Sequence, residues 1–288
     1  AKIWKNMKKQ RGSRRKSCQQ RQPKTYRMKR RQPDNKVRYY KSYTDDFVHS
    51  KNRGYQLPDD YVWLEESPRH KALSFLLYQL GRLCGFFYVR LYHRIRIENR
   101  EVLKKCKKSG YFLYGNHTRP VGDVFTPAYI CGRKRIYTIA GQENMGLPGI
   151  GRLLPYLGAI PVPDTLPQMK QFLEAICRRI EENCCVVIYP EAHVWPYYTK
   201  MRPFPLTSFR FPVEYSAPSF CMTTTYQKKR HGKKPGITIY VDGPFYPDKA
   251  IGRREAQKKL HDEIFNCMQR RSLCSTYEYI RYREEKHL

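Results

Sequence analysis

Two short runs hold the residues best suited to chemistry. The first is Tyr111-Phe-Leu-Tyr-Gly115-Asn116-His117-Thr-Arg-Pro-Val-Gly122-Asp123, an apolar stretch that breaks into a histidine and then an acid. A buried strand running into Asn116-His117 puts the imidazole at the strand's C-terminal edge, where α/β sheets hold their sites. Asp123 stands beyond a Pro-Val-Gly turn that can fold it back. A carboxylate bonded to one ring nitrogen fixes the tautomer and raises the basicity of the other, which makes His117 a general base toward a hydroxyl. A His/Asp dyad with no serine or cysteine nucleophile suits direct transfer, in which the substrate's own hydroxyl attacks. The blander reading is one of the chain's eight histidines lying near an acid by chance.

The second run is Val186-Val-Ile-Tyr-Pro190-Glu191-Ala-His193, another apolar strand ending at a turn with a carboxylate. Pro190 stiffens the exit, and Glu191 would face the same sheet edge as His117. Its alternative is a strand-end glutamate in solvent. No Walker loop, G-x-S-x-G elbow, H-E-x-x-H or G-x-G-x-x-G occurs, which removes the commonest phosphate-loop, serine-hydrolase, zinc-protease and dinucleotide readings.

The elements that must position these runs alternate. Tyr111–Tyr114, Arg135–Ala140, Cys184–Tyr189, Ser219–Tyr226 and Ile237–Val241 are short, β-branched or aromatic, and bounded by turn residues, so they predict buried strands. A helix follows Thr165, its expected cap, with Met169, Phe172, Leu173, Ile176 and Ile180 at helical spacing. A last basic helix is expected over about Arg253 to Gln269. The fold class implied is α/β: a single domain with a mixed, mostly buried central sheet flanked by helices.

Ser67-Pro68 opens a further helical pattern, from Lys71 to about Arg94. Leu73, Leu76, Leu77, Leu80, Leu83, Cys84, Phe87 and Leu91 fall on one side, and Lys71, Gln79, Arg82, Arg90 and His93 on the other. That pattern fits an interfacial membrane helix, or equally an amphipathic helix packed on its own domain. Charges at Lys71, Arg82 and Arg90 break it into apolar stretches short of the roughly 20 residues of a span, so a crossing is not expected.

The chain has 56 Lys and Arg against 25 Asp and Glu, a formal charge of +31 that implies an anionic partner. Residues 1–41 carry 17 of those cations and one acid, Asp34. Residues 1–38 are expected to be a disordered basic arm, with Met28 an alternative natural start; 39–70 read as an irregular segment and 71–288 as the catalytic domain. Ten cysteines form no C-x-x-C pair, and no secretory signal is visible. A cytoplasmic protein without a zinc site is the expectation.

These residues, in this order, resemble the glycerolipid acyltransferase family, typified by the 1-acylglycerol-3-phosphate acyltransferases. The family's Asn-His-x4-Asp block looks like Asn116-His117 to Asp123. Its Gly-x-Ile-Phe-Ile-Asp-Arg strand is similar to Gly158-Ala-Ile160-Pro-Val-Pro163-Asp164, approached through Leu147-Pro-Gly-Ile-Gly-Arg152. Its Phe-Pro-Glu-Gly-Thr-Arg block matches Tyr189-Pro190-Glu191-Ala192-His193-Val194, and its fourth block Ala217-Pro218-Ser-Phe220. Order and spacing fit from about Lys71 to Tyr246.

Three departures stand out. Five residues, not four, separate His117 from Asp123, with Gly122 placed to absorb the extra one. Pro163 and Asp164 replace the second-block arginine, and Val194 replaces the third-block arginine. Those arginines are associated in the family with the acceptor's phosphate, for which Arg119, Arg152, Lys200, Arg202 or Arg210 could substitute.

The resemblance implies transfer of a fatty acyl group from acyl-CoA or acyl carrier protein to a hydroxyl of a lysophospholipid or related lipid. His117 would be the base and Asp123 its orienting partner. Asn116, Arg119, Arg152, Pro190 and Glu191 would bind substrate, with no metal or bound cofactor. The enzyme would sit peripherally on the cytoplasmic face of a membrane bearing anionic lipid. Two alternatives remain: an inactive acyltransferase-like protein, suggested by the missing arginines, and a basic nucleic-acid-binding protein. The latter explains the charge but not the two strand-end clusters.

Overall fold

The computed structural model describes residues 36–48 and 54–285, all within one compact unit. Most of the basic arm expected over 1–38 lies outside the described residues. In chain order the strands and α-helices are β1 (Lys36–Tyr40), α1 (Pro68–Phe86), β2 (Arg96–Glu98), β3 (Tyr111–Gly115), α2 (Gly122–Cys131), β4 (Ile136–Ala140) and β5 (Ala159–Pro161). There follow α3 (Leu166–Glu181), β6 (Cys185–Ile188), α4 (Arg210–Glu214), β7 (Ser219–Gln227), β8 (Gly236–Phe245), α5 (Arg253–Ser272) and β9 (Ile280–Glu284).

Seven strands form the central sheet in the order β2-β8-β7-β3-β6-β4-β5. All neighbours are parallel except β7 and β8, so the sheet is mixed, as expected. The two-residue period of a strand divides the core. Tyr111 and Leu113 point to the layer that holds Tyr78, Val89 and Ile130; Phe112 and Tyr114 point to the layer that holds Phe172, Ile176, Leu260 and Ile264. Both faces of β3 and β6 are therefore covered, and each fully buried aliphatic side chain there contributes about 1.5–3 kcal/mol.

α3 packs as its spacing predicts, with Phe172 and Ile176 buried and Met169, Leu173 and Ile180 against the same layer. Thr165 occupies the N-cap position but its side chain makes no cap hydrogen bond. The three-residue β2 is too short to leave a sequence signal, and β5 is three residues within the 158–164 run.

Lys36–Tyr40, read from sequence as the tail of the arm and head of an irregular segment, is a strand. It pairs in parallel with β9, Lys36 opposite Ile280 and Tyr40 opposite Glu284. The two-stranded ribbon surrounds Trp195, which is wholly buried and stacks on Tyr282 at 5.0 Å. Tyr40 and Phe47 meet the same indole at 4.8 and 5.1 Å.

α1 begins at Pro68, with Ser67 accepting from the His70 amide, and continues through a π-helical turn, Phe87–Tyr92. Against the expectation from its charges, Pro68–Tyr92 is by length and composition long and apolar enough to cross a membrane. The face that packs is not the leucine face. Ser74 Oγ donates to the Tyr156 carbonyl at 2.8 Å, the Tyr78 hydroxyl accepts from the Ile136 amide at 2.9 Å, and Gly85 lies against Phe125. Small residues let the helix approach the body closely along this line. Leu73, Leu76, Leu80, Leu83, Phe87 and Leu91 are left exposed, together with Phe75 and Tyr92.

Candidate active site

β3 delivers Asn116 and His117 to the C-terminal edge of the sheet, and α2 starts again six residues later with Asp123 in its first turn. The extra residue between them is taken up in a tight turn closed by the Asp123 amide donating to the Arg119 carbonyl at 3.1 Å. A Cβ at Gly122 would stand 2.3 Å from Arg119 Cζ, so a larger residue there would have to displace the Arg119 guanidinium. The dyad is closed: His117 Nδ1 lies 2.8 Å from Asp123 Oδ2, which also accepts from the Arg119 amide at 3.0 Å. The imidazole is one-fifth exposed while the Asp123 carboxylate is buried. With Nδ1 held by the acid, Nε2 is the nitrogen left to meet a substrate. The ring stacks on Tyr189 at 4.6 Å and 20°, and the Tyr189 hydroxyl donates to the Asp123 carbonyl at 2.7 Å. Burial, then the nearby Asp123 charge, hold the Tyr189 phenol well above its ordinary range, so it stays a neutral donor.

Asn116 is fully engaged by the fold rather than free for substrate. Its amide accepts from Thr224 N at 2.8 Å and donates to Thr224 O at 3.0 Å, extending the β3–β7 ladder by one side chain. Thr118 is held the same way, its hydroxyl 2.8 Å from that of Tyr226. The loop after β6 supplies the other wall. Trp195 N donates to His117 O at 3.0 Å and Tyr197 N to Thr118 O at 2.9 Å.

Glu191 corrects the sequence reading most. It stands on the same edge as His117, but its side chain is 0% exposed. Oε2 accepts from the His117 amide and from Arg202 Nη2, both at 3.0 Å, and Oε1 accepts from the Arg202 amide at 3.0 Å. Its oxygens hold the histidine's backbone in place and are not presented to an acceptor's hydroxyls. Arg202 is buried with it, bonded also to the carbonyls of His193 and Tyr43 and lying 4.8 Å over the Trp195 ring. That removes Arg202 as a phosphate ligand. Pro190 is buried at the second position of the turn closed by Ala192 N and Tyr189 O, where its fixed φ suits the chain reversal. Ala192 occupies the left-handed region at φ 60°, a conformation that glycine adopts at no steric cost.

The arginines divide. Arg119 is buried beside the dyad, its guanidinium bonded only to neutral oxygens, Thr126 Oγ1 and the Tyr88 hydroxyl, each at 3.2 Å. Arg152 is exposed on the 3-10 turn Gly151–Leu153 and makes no hydrogen bond or ion pair with the His117 cluster among the described residues. Arg210 pairs with Glu214, and Lys200 is exposed. Sequence reasoning missed Tyr189, Trp195, Tyr226 and the Arg202 partner of Glu191. The aromatic before Pro190-Glu191 was the one available signal, since it belongs to the family pattern.

One group among the described residues has metal-ligand geometry: Cys221, Asp242 and Cys267, with ligand atoms within 4.8 Å of one another. The Asp242 carboxylate already accepts two bonds from Arg271, at 2.8 and 2.6 Å, so the donor set suits a salt bridge better than a cation. A cavity of about 190 Å³ lies at the other end of the parallel strands, lined by Trp63, His70, Arg135, Tyr137 and Arg179.

Residues 94–222 match the family model described as Acyltransferase. Among solved structures the chain is similar to the 1-acyl-sn-glycerophosphate acyltransferase PlsC from Thermotoga maritima. The TM-score is 0.52 and the identity 15%, covering 74% of this chain and 85% of that one. No curated protein matches the sequence.

Proposed function

We propose that the chain, whose residues 94–222 match the family model described as Acyltransferase, moves a fatty acyl group from an acyl-thioester to a lipid hydroxyl. The observation that carries this reading is the 2.8 Å contact between His117 Nδ1 and Asp123, in a ring that is one-fifth exposed. With Nδ1–H donating to Asp123, Nε2 accepts the proton of the acceptor hydroxyl as its oxygen attacks the thioester carbonyl carbon. The C–S bond then breaks, and the departing thiolate takes that proton back from Nε2. Glu191, through the His117 amide, and Tyr189, under the ring, hold the imidazole at the angle this relay needs.

The donor is acyl-CoA or acyl carrier protein and the acceptor a lysophospholipid. The exposed leucine face of α1 supports adsorption to the cytoplasmic face of a membrane. The helix is bonded to the body at Ser74 and Tyr78, which favours lying flat in the interface over crossing it.

A radiolabelled acyl-thioester assay against a panel of lysolipids, with liposomes present, tests the reading. Wild type transfers label and His117→Ala does not, while circular dichroism is unchanged. Transfer by the variant at the wild-type rate would overturn the mechanism.

A further inference from the structure

β7 does not end where β3 ends. Gly115 pairs with Met222, and Thr223–Gln227 run on, paired with β8, so the turn over 228–235 stands about 15 Å beyond the level of Gly115. Asn116 and Thr118 both bond to this extension, through Thr224 and Tyr226, which sets it beside the His117 loop. The turn reads Lys228-Lys229-Arg230-His231-Gly232-Lys233-Lys234, and every one of these residues is exposed. None of them joins an ion pair among the described residues.

The cations divide between the two faces of the hairpin. Lys228 reaches the Tyr277 ring, 6.0 Å away. Lys229 crosses the hairpin against Gly236, and its charge and that of Lys234 add to the burial that pushes the His93 pKa down. Lys234 acts on Tyr197 as well, and Arg119 acts on both rings. His93 packs on Tyr88, whose hydroxyl holds the Arg119 guanidinium. Three cations, Arg119, Lys229 and Lys234, thus share the surroundings of His93, and none of them forms an ion pair among the described residues. Like charges so placed repel one another, and an anion arriving with the substrate would relieve that repulsion.

We propose that Lys229 and Lys234 bind a phosphate group carried by the substrate of His117. The inference rests on the acyl-transfer reading above. It supplies the phosphate contact that Val194 cannot make and that Arg202, locked to Glu191, does not offer. The phosphate belongs either to the acceptor's headgroup or to the donor's carrier; a phosphomonoester headgroup and the 3′-phosphate of CoA present the same dianionic oxygens.

The test uses the full chain carrying K229Q and K234Q together, with K228Q as the control for charge alone. KM and kcat are measured with lysophosphatidate against monoacylglycerol, and with acyl-CoA against an acyl-N-acetylcysteamine. The double variant should raise KM about tenfold for one phosphate-bearing substrate, as expected for losing two exposed ionic contacts. It should leave kcat and the phosphate-free counterpart unchanged, and the arm that responds names the source. Binding of glycerol 3-phosphate and of adenosine 3′,5′-bisphosphate, followed on the His93 ring by NMR, reads the site without turnover. Lysine-dependent binding in a chain that transfers to no acceptor would sink the acyl-transfer reading and leave the phosphate site standing. Unchanged KM and probe affinity in the double variant would overturn the proposal. So would an equal KM rise with phosphate-free substrates, or an equal effect of K228Q.

Discussion

Asp123 and Glu191 stand just past the ends of neighbouring parallel strands, β3 and β6, and their carboxylates are used in opposite ways. Asp123 gives one oxygen to a ring whose far edge meets solvent. Glu191 has both oxygens bonded inside the protein, to an arginine that is itself 1% exposed. In the proposed acyl transfer the first acid orients the group that does the chemistry; the second builds the floor on which that group stands. An acid at a strand end is therefore assigned by what its lone pairs already touch.

Removing Glu191 should have the largest effect, and on folding. Glu191→Ala leaves the Arg202 charge buried and unpaired, a loss of about 3–5 kcal/mol that differential scanning calorimetry would read as a lowered Tm. A variant that melts like wild type but binds the acceptor poorly would break the comparison and return Glu191 to the substrate. Asp123→Asn should do the reverse, lowering kcat by about 10²-fold, close to 2.7 kcal/mol, with little change in Tm. Tyr226→Phe removes the partner of the Thr118 hydroxyl and should cost about 1 kcal/mol in chemical denaturation, with KM unchanged.

The smallest effect concerns pH. Burial first, then Arg119, Lys234 and Lys229, push the His93 pKa down from 6.5 to about 4. Between those values the unfolded chain binds more protons at this site than the folded one, so its contribution is present above pH 6.5 and is lost as pH falls toward 4. His93→Gln should flatten the stability curve in that window, as measured by urea unfolding at a series of pH values. A curve parallel to wild type would show that the folded protein does not hold the His93 pKa down.

What the sequence could show depended on whether a residue's partner lay close along the chain. The β3 run, the Pro-Val-Gly turn and Asp123 sit within one short segment, so the dyad's components were legible together. Phe172 and Ile176 betrayed α3 through helical spacing alone. The partner of Glu191 gave no such sign, because Arg202 lies in an irregular loop beyond a second turn. β1 and β9 alternate charge with aromatics, as in Lys36-Val-Arg-Tyr-Tyr and Ile280-Arg-Tyr-Arg-Glu, and resemble solvated segments until paired. For α1 the periodicity was legible, but which face packs on the body was not. The apolar face was visible, but the glycines and Ser74 that pack on the body lie on another.

The β1–β9 ribbon sets an order of events during synthesis. Trp195, which holds the His117 carbonyl, is stacked on Tyr282 and enclosed by Tyr40 and Phe47. A ribosome has made β1, the dyad and the Glu191 loop long before Tyr282 emerges. Until then the indole lacks one wall and the histidine's carbonyl rests on an unbraced loop. The nascent chain can assemble its sheet early, yet the His117 turn gains its last brace only when β9 leaves the exit tunnel and closes the ribbon.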